Sequence, residues 1–319
     1  MNLAIVLVDY NGLADTRRCL ESLHGQTADI IVVDNASRET VSEALSNSFP
    51  DVYFVRSPVN GGWAGGNNLG LKLALERGAE LVILLNNDTA VEPRFAECLL
   101  RAVENHPEFG ILGLVIRFLD LPHEVQTEGV AFNKPHEAGF FQRLAVPLDG
   151  RVVEVDIVNG CCLMVRRSVV ERIGFIDEEF FLIHEEADFC LRAQEAGFKL
   201  GVLGEALVYH KGSSTFGREG QGTQRYYDAR NLLRLLRKHR GRSGERSYFR
   251  SAVHAGRYAL SRYAIEREKG FAASADAVLM GLYDGAMGRY GPRSDRRRPG
   301  FRLMRWMIET VRRIKSIAR

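Results

Sequence analysis

The chain has 319 residues, 45% of them apolar, and its 43 Lys and Arg nearly balance 40 Asp and Glu, leaving a net charge of +3. These figures exclude a disordered polyelectrolyte and a nucleic-acid binder working by bulk positive charge, and they allow one large domain or a domain with an appendage. The five cysteines (Cys19, Cys98, Cys161, Cys162, Cys190) are odd in number and lack CxxC spacing, which excludes a disulfide frame and a zinc site and places the chain in the cytoplasm.

Two periodicities alternate from the start. Residues 3–8 read as a buried strand with no basic leader before it, and residues 13–23 carry apolar side chains at helical spacing. A second strand over 30–33 ends in Asp34-Asn35. A helix over 38–46 and a third strand over 52–55 follow. A glycine-rich loop over 60–68 leads into a helix over 67–77. Residues 81–85 form a fourth strand, and Pro93 opens another helix. Such alternation predicts an α/β fold, a mostly parallel mixed sheet flanked by helices on both faces. Between 110 and 165, short apolar runs at 111–116, 140–146 and 152–158 predict an antiparallel extension with long loops. A helix over 186–196, a strand over 200–203 and a loop carrying His210 come next. Beyond residue 221 the pattern is helical, with helices over 248–267 and 272–287 and a last one from Phe301. The predicted division is 1–220 and 221–319. No apolar stretch approaches the roughly 18 to 20 residues of a membrane span.

The most informative stretch is Leu-Val-Ile-Leu-Leu-Asn-Asn-Asp, residues 81–88. An apolar strand ending in oxygen-bearing side chains can deliver a ligand for Mg²⁺ or Mn²⁺ at the sheet's carboxyl edge; it can equally be a turn whose Asp88 caps a helix. Asp34 ends the second strand where an acid can meet a base or ribose, or can cap the next helix. The glycines of Asn60-Gly61-Gly62-Trp63-Ala64-Gly65-Gly66-Asn67-Asn68 permit close approach of backbone to a phosphate, or simply a tight turn. This is neither a Walker loop nor a dinucleotide fingerprint. His184-Glu185-Glu186-Ala187-Asp188 crowds three carboxylates, which favours one of them as a base; acids at a helix start also suit its dipole. Asp188 and Arg192 stand four apart and predict a structural ion pair. His210 is a loop residue that could be a ligand or merely exposed.

Taken in order, these segments resemble a family-2 glycosyltransferase of the GT-A fold. The matching pieces are Val8-Asp9-Tyr10-Asn11-Gly12, Val33-Asp34-Asn35-Ala36-Ser37, Asn60-Gly61-Gly62 to Asn67-Asn68, Leu85-Asn86-Asn87-Asp88, Asn159-Gly160-Cys161, Glu185 to Arg192, and Tyr209-His210. They span residues 3 to 215 and are most similar to the rhamnosyltransferase-like branch, as is Gly281 to Gly288 less specifically. The resemblance implies an inverting transfer of a sugar, L-rhamnose by preference, from a nucleotide-diphosphate donor such as dTDP-rhamnose or a UDP-sugar. The acceptor would be a hydroxyl of a bacterial surface or cell-wall glycan, free or lipid-linked. It implies a divalent cation, Mg²⁺ or Mn²⁺, held by Asp88 and His210. Glu186 matches the general base, with Glu185 as the alternative. Asp9, Asn11, Asp34, Asn35, Gly62, Asn67, Asn68, Asn87 and Asp88 would bind the nucleotide sugar. Two departures are Asn86, where the family's metal motif begins with an acid, and Glu186, where many members carry Asp. A nucleotidyltransferase is the competing enzyme reading, although Asp9-Tyr10-Asn11-Gly12 lacks the Gly-rich basic signature expected after its first strand. A non-catalytic nucleotide or carbohydrate binder is the other.

The tail after Arg296-Arg297-Arg298 carries Met304, Met307, Ile308, Val311, Ile314 and Ile317 at helical spacing, with Arg302, Arg305, Arg312, Arg313 and Lys315 between them and Trp306 near its start. A basic amphipathic helix of this kind lies on the cytoplasmic face of an anionic inner membrane, or packs on its own domain or a second subunit of a homo-oligomer.

Overall fold

Uncharged runs of Leu, Ile and Val become the centre of one sheet. Strands β1 (Leu3–Asp9), β2 (Asp29–Asp34) and β4 (Leu81–Asn86) are almost wholly buried, and β3 (Tyr53–Arg56) closes the edge. They lie parallel in the order β4-β1-β2-β3, joined by α1 (Leu13–Ser22), α2 (Val41–Leu45) and α3 (Gly62–Glu76). After β4 come β5 (Thr89–Val91), α4 (Phe95–Asn105), β6 (Phe109–Phe118), β7 (Val125–Thr127), β8 (Gly129–His136), β9 (Gly139–Leu144), β10 (Val152–Glu154), β11 (Cys162–Arg166), α5 (Arg167–Ile173), α6 (Glu185–Glu195) and β12 (Lys199–His210). The full order is β10-β12-β6-β11-β4-β1-β2-β3, with β5 on β12 and β7 on β6. The computed structural model describes residues 1–136, 139–212, 221–240, 248–294 and 296–317, in two compact units, Met1–Thr215 and Phe216–Arg319.

Strand direction decides what meets at the working edge. β11 is antiparallel to both β4 and β6, so β6 and its parallel neighbour β12 run the same way as β4. The carboxyl ends of β1, β2, β4 and β12 therefore deliver Asp9, Asp34, Asn86 and His210 to one edge, where open α/β sheets bind ligands. The start of β11 reaches the same edge, and the Asn86 N–H donates to the Cys161 carbonyl at 2.9 Å.

Four local expectations change. Helix α3 begins at Gly62, so the glycine-rich segment is mostly the helix's first turns instead of a loop. Gly66 and Gly70 pack against β1: a Cβ on Gly66 would lie 2.6 Å from Val8 Cγ1, and one on Gly70 would collide with Val6. Strand β12 runs past residue 203 to His210, because a bulge between Leu203 and Val208 lets it continue and pair with β5 and β6. His210 thus ends a strand and faces Thr89 across the ladder. Residues 140–144 belong to a separate β8–β9 hairpin and do not extend the main sheet. Only 152–154 of the run 152–158 is strand, with Ile157 bridged to Val130.

The second unit is helical: α7 (Gln221–Lys238), α8 (Tyr248–Glu268), α9 (Ala272–Ala286) and α10 (Phe301–Ile317). Gly281 and Gly285 press α9 onto the α7 backbone at Tyr226 and Arg230, too close for any Cβ. Around Ala229, Ala259, Tyr263, Ala275, Val278 and Leu279 lies its core, and α10 packs onto that core through Phe301, Met304 and Ile308. Among the described residues no helix is long and apolar enough to cross a membrane. Residues 213–220 lie outside the described residues, as do the side chains of the tail from 311 onward.

Candidate active site

Three consecutive residues at the end of β4 fan into three networks. The Asn86 Oδ1 accepts the Trp63 indole N–H at 3.0 Å. The Asn87 amide donates to Thr16 Oγ1 at 2.8 Å and to Asp9 Oδ2 at 3.3 Å. Asp88 Oδ1 lies 3.0 Å from His210 Nε2, both side chains largely buried. The Lys211 N–H donates to the Asp88 carbonyl at 3.0 Å, so the end of β12 is stitched to the turn after β4.

Glu186 reaches this cluster through Gly160. A Cβ on Gly160 would sit 3.1 Å from the Trp63 ring and 3.3 Å from Glu186 Cβ. The path Glu186–Gly160–Trp63–Asn86 is continuous contact and ends two residues along the chain from the expected ligand Asp88. Glu185 and Asp188 are buried, whereas Glu186 is half-exposed. Asp188 forms the predicted ion pair, accepting from Arg192 Nε at 2.9 Å, while Arg192 also caps the Ile173 and Phe175 carbonyls.

The backbone before α6 is strained. Phe181, Ile183 and His184 have φ of 64°, 70° and 74°, a region that disfavours side chains and β-branched ones most. Surrounding contacts hold it there. The Phe181 carbonyl fills the space a Cβ on Gly62 would need, and the His184 ring stacks on Phe141 of the hairpin at 5.1 Å and 8°. The Asn68 amide donates to the Ile176 carbonyl and Glu178 Oε1, both at 2.9 Å, and its oxygen accepts the Ile176 N–H. Strain held by packing is a recurring mark of working loops.

Several residues expected to touch a donor are engaged within the chain. Asp9 fills its four acceptor positions with Thr16 Oγ1 (2.5 Å), Ser37 Oγ (2.7 Å), the Gly12 N–H and Asn87. Asn35 ties the Asn60 side chain, the Gly62 carbonyl and the Gly61 N–H together. Asn67 donates to the Trp63 carbonyl, and Asn11, at φ 58°, accepts the Arg38 N–H. Asp34 accepts from the Ser37 and Val41 N–H groups and from Arg56 Nη1 at 2.5 Å; Arg56 itself is 43% exposed. All these residues surround the same edge, and what they do there is fix loops. Three contributors had no signal in the sequence: Trp63, Arg56 and Gln126. Trp63 stood inside a glycine run that drew attention to backbone. Gln126 lies 84 residues from its partner.

His210 offers a test of the expected cation site. Its Nδ1 lies 2.7 Å from Gln126 Oε1 and its Nε2 3.0 Å from Asp88 Oδ1. With Nδ1–H donating to Gln126, a neutral ring turns the lone pair of Nε2 toward a carboxylate oxygen. A proton or a cation resolves that opposition. Two adjacent ligands on an octahedral ion with bonds of about 2.1 Å also stand about 3 Å apart, so the pair fits a small divalent ion. Among the described residues no group of three or more His, Cys, Asp or Glu converges, so the protein side of such a site is two ligands. The buried thiols are unsuited to ligation or attack: desolvation pushes Cys19, Cys162 and Cys190 up to about 12 and Cys161 well above the usual thiol range.

A mixed, mostly parallel sheet flanked by helices, with acids gathered at its carboxyl edge, is of GT-A architecture. The chain belongs to glycosyl transferase family 2, whose model matches residues 4–174. It is 29% identical over 238 residues to the low-salt glycan biosynthesis hexosyltransferase Agl10 of Haloferax volcanii, covering 72% of this chain and 74% of that one. It is 26% identical to the dTDP-rhamnosyl transferase RfbF of Shigella flexneri, covering 74% and 80%. It is 24% identical to the N-acetylglucosaminyl-diphospho-decaprenol L-rhamnosyltransferase of Mycobacterium tuberculosis, covering 75% and 85%. Among solved structures, the S. aureus TarS complex with UDP-GlcNAc superposes with a TM-score of 0.56 at 15% identity, over 89% of this chain and 80% of that one. The mannosyltransferase PcManGT of Pyrobaculum calidifontis, solved with GDP-Man and Mn²⁺, gives 0.52 at 13%, over 90% and 88%.

Proposed function

We propose that this glycosyltransferase is an inverting, divalent-cation-dependent enzyme that moves L-rhamnose from dTDP-rhamnose to a hydroxyl of a surface or cell-wall glycan intermediate. The observation that carries the reading is the contact path from Glu186 through Gly160 and Trp63 to Asn86, two residues from Asp88. It supports a base and an anion-neutralising residue bordering the same edge of the sheet. Two relatives named for rhamnosyl transfer, one of them for a diphospho-decaprenol acceptor, favour the sugar and a lipid-linked acceptor.

In this reading Asp88 and His210 hold Mg²⁺ or Mn²⁺. The ion, when bound, neutralises the donor's diphosphate as it leaves. Glu186 accepts the proton of the attacking hydroxyl. It is chosen over Glu185 because it is the accessible carboxylate of the two and borders Gly160 and Trp63. The half-exposed Arg56 presents charge beside Asp34 where the nucleotide enters, and Asp34 is oriented by it. Asp9, Asn11, Asn35, Gly62, Asn67, Asn68 and Asn87 serve the donor by holding the β1, β2 and α3 loops in place. A single base on the face opposite the leaving group is what direct displacement needs, without the paired acid and nucleophile of a retaining hydrolase.

Turnover of dTDP-rhamnose by Glu186→Gln is the test. The expected result is a fall in kcat of about 10²- to 10⁴-fold with donor affinity kept. Unchanged turnover removes Glu186 as the base. A thermal-shift series with dTDP, UDP and GDP, with and without Mn²⁺, reads the donor: preference for UDP or GDP over dTDP removes the rhamnosyl assignment.

A further inference from the structure

The modest net charge hides a division. Residues 216–319 carry 25 Lys and Arg against 9 Asp and Glu, a net +16, whereas residues 1–215 carry 18 against 31, a net −13. The glycosyl-transfer residues all lie in the acidic part. The basic part needs another explanation, and one place in it is built like a site.

A cavity of about 240 Å³ opens at the carboxyl end of α9, bounded by Tyr226, Asp284, Arg289, Tyr290, Arg293 and Arg296. Its single described acid is already answered. Asp284 Oδ2 accepts from Tyr226 Oη and Arg298 Nη2, both at 2.7 Å, and Oδ1 accepts from Arg298 Nε at 3.1 Å, so Arg298 balances the charge from behind. Arg289 lies 3.5 Å from the same carboxylate and donates to the Arg297 carbonyl. The two exposed guanidinium groups have far less. The Arg293 guanidinium reaches only the Met280 thioether at 3.6 Å and lies 5.0 Å over the Tyr226 ring; the Arg296 guanidinium has no hydrogen-bond or ion-pair partner among the described residues. The buried Arg230 sits 5.6 Å from the ring of Tyr226, which lines the cavity, and 4.6 Å from that of Tyr227. Guanidinium groups with donors to spare in a cavity match the oxygens of a phosphate, which they bind as a fork.

Next to this cavity the chain offers apolar surface. The Phe301 N–H donates to the Arg298 carbonyl, and the Phe301 ring meets Tyr283 edge-on at 6.0 Å, so α10 starts beside the cavity. One face of α10 is used in packing. Another turns out Leu303, Trp306 and Met307, exposed at 59%, 62% and 47%. Tryptophan beside basic residues belongs at the boundary of water and hydrocarbon. A phosphate cavity next to an apolar stripe has the two-part form of an amphiphile.

We infer that the Arg289–Arg293–Arg296 cavity takes the phosphate of an anionic lipid while Leu303, Trp306 and Met307 enter the membrane interface beside it. The helical unit carries this inference alone; it stands whether or not the donor is dTDP-rhamnose. The occupant is a bulk anionic phospholipid, whose charged surface the net +16 of residues 216–319 complements.

The test is sedimentation of the full chain with vesicles of phosphatidylcholine alone, with added phosphatidylglycerol, or with added polyprenyl phosphate. Binding is expected with phosphatidylglycerol and not with phosphatidylcholine alone; binding to polyprenyl phosphate without binding to phosphatidylglycerol overturns the phospholipid. Arg293→Ala/Arg296→Ala is expected to lower partitioning about 30-fold, on the scale of two basic groups at a charged surface. Arg250→Ala/Arg257→Ala removes equal charge from α8 and should leave partitioning near wild type. Inorganic pyrophosphate, against NaCl of matched ionic strength, should release the bound protein, and Trp306 emission, read in a Trp63→Phe background, should shift to the blue on binding. Equal loss in the two double variants, with circular dichroism unchanged in both, reduces the effect to bulk charge and overturns the cavity. Pyrophosphate binding without any vesicle binding overturns the lipid.

Discussion

At the scale of single residues, Gln126 has the clearest unexpected consequence. It sits on β7 and holds the imidazole that lies between it and Asp88. Gly212, at φ 68°, lets it in: a Cβ there would stand 2.5 Å from Gln126 Nε2. An outer partner of this kind fixes which ring nitrogen is left for a cation, and losing it costs about 10- to 100-fold in metal affinity. Gln126→Leu is therefore expected to weaken Mn²⁺ binding by that range in the presence of a nucleoside diphosphate, read by the EPR signal of free Mn²⁺. The melting temperature should hold, since Gln126 is only half-buried. Unchanged Mn²⁺ affinity would mean that His210 is not a ligand. Asp88 drew notice from its place just after an apolar strand, whereas His210 was read as a loop residue. Gln126 drew no notice, because its partner lies across two strand pairings and residue type alone gives no cue.

Elements explain why the glycine run was misread. Its composition promises flexibility, and in isolation nothing distinguishes a phosphate loop from a helix that must lie flat on a sheet. The distinction is tertiary: Gly66 and Gly70 are one turn apart and face Val8 and Val6 of β1, so their missing side chains serve helix–sheet contact. Gly62 serves a different neighbour, the strained 181–184 segment. Two substitutions separate sterics from backbone strain. Gly62→Ala places a methyl against the Phe181 carbonyl at φ 69°, combining overpacking with left-handed strain, about 2 kcal/mol or more. Gly78→Ala suffers only the strain, about 1 kcal/mol, because nothing lies within 4 Å of its added carbon at φ 87°. Thermal unfolding should show the first variant roughly 4–8 °C lower and the second about half as far. Gly62→Ala should also lose activity, since the segment it displaces leads into α6 and Glu186. Equal shifts would show that Gly62 does not pin that segment. The strand β12 was under-read for a related reason. Gly204 and Glu205 look like a turn, but they form a bulge, and the strand resumes to carry His210 to the edge.

Across the whole molecule, the cysteines test how much of the core behaves as one dry interior. Four of the five thiols are buried, spread over α1, the start of β11 and α6, and Cys98 is half-exposed. Burial raises Cys19, Cys162 and Cys190 to about 12, and Cys161 well above its usual value. In the unfolded chain a thiol titrates near 8.5, at about the open-chain value. Between those limits the native state keeps protons that the unfolded state gives up, so stability falls as pH rises. The contribution is fully present below about pH 8.5 and is lost progressively toward 12, at about 1.4 kcal/mol per thiol per pH unit. Tyr258, also raised to about 12 by burial, adds to the same trend from about pH 10. The urea midpoint should be flat from pH 7 to 8 and drop steeply above 9. Replacing Cys190 by Ala should make that drop shallower by one thiol's share, after allowance for the small cavity. In native protein at pH 8, Ellman's reagent should find Cys98 slowly and the other four only after unfolding. Rapid labelling of a second thiol, or an alkaline slope that ignores Cys190→Ala, would show that solvent reaches the sheet's interior.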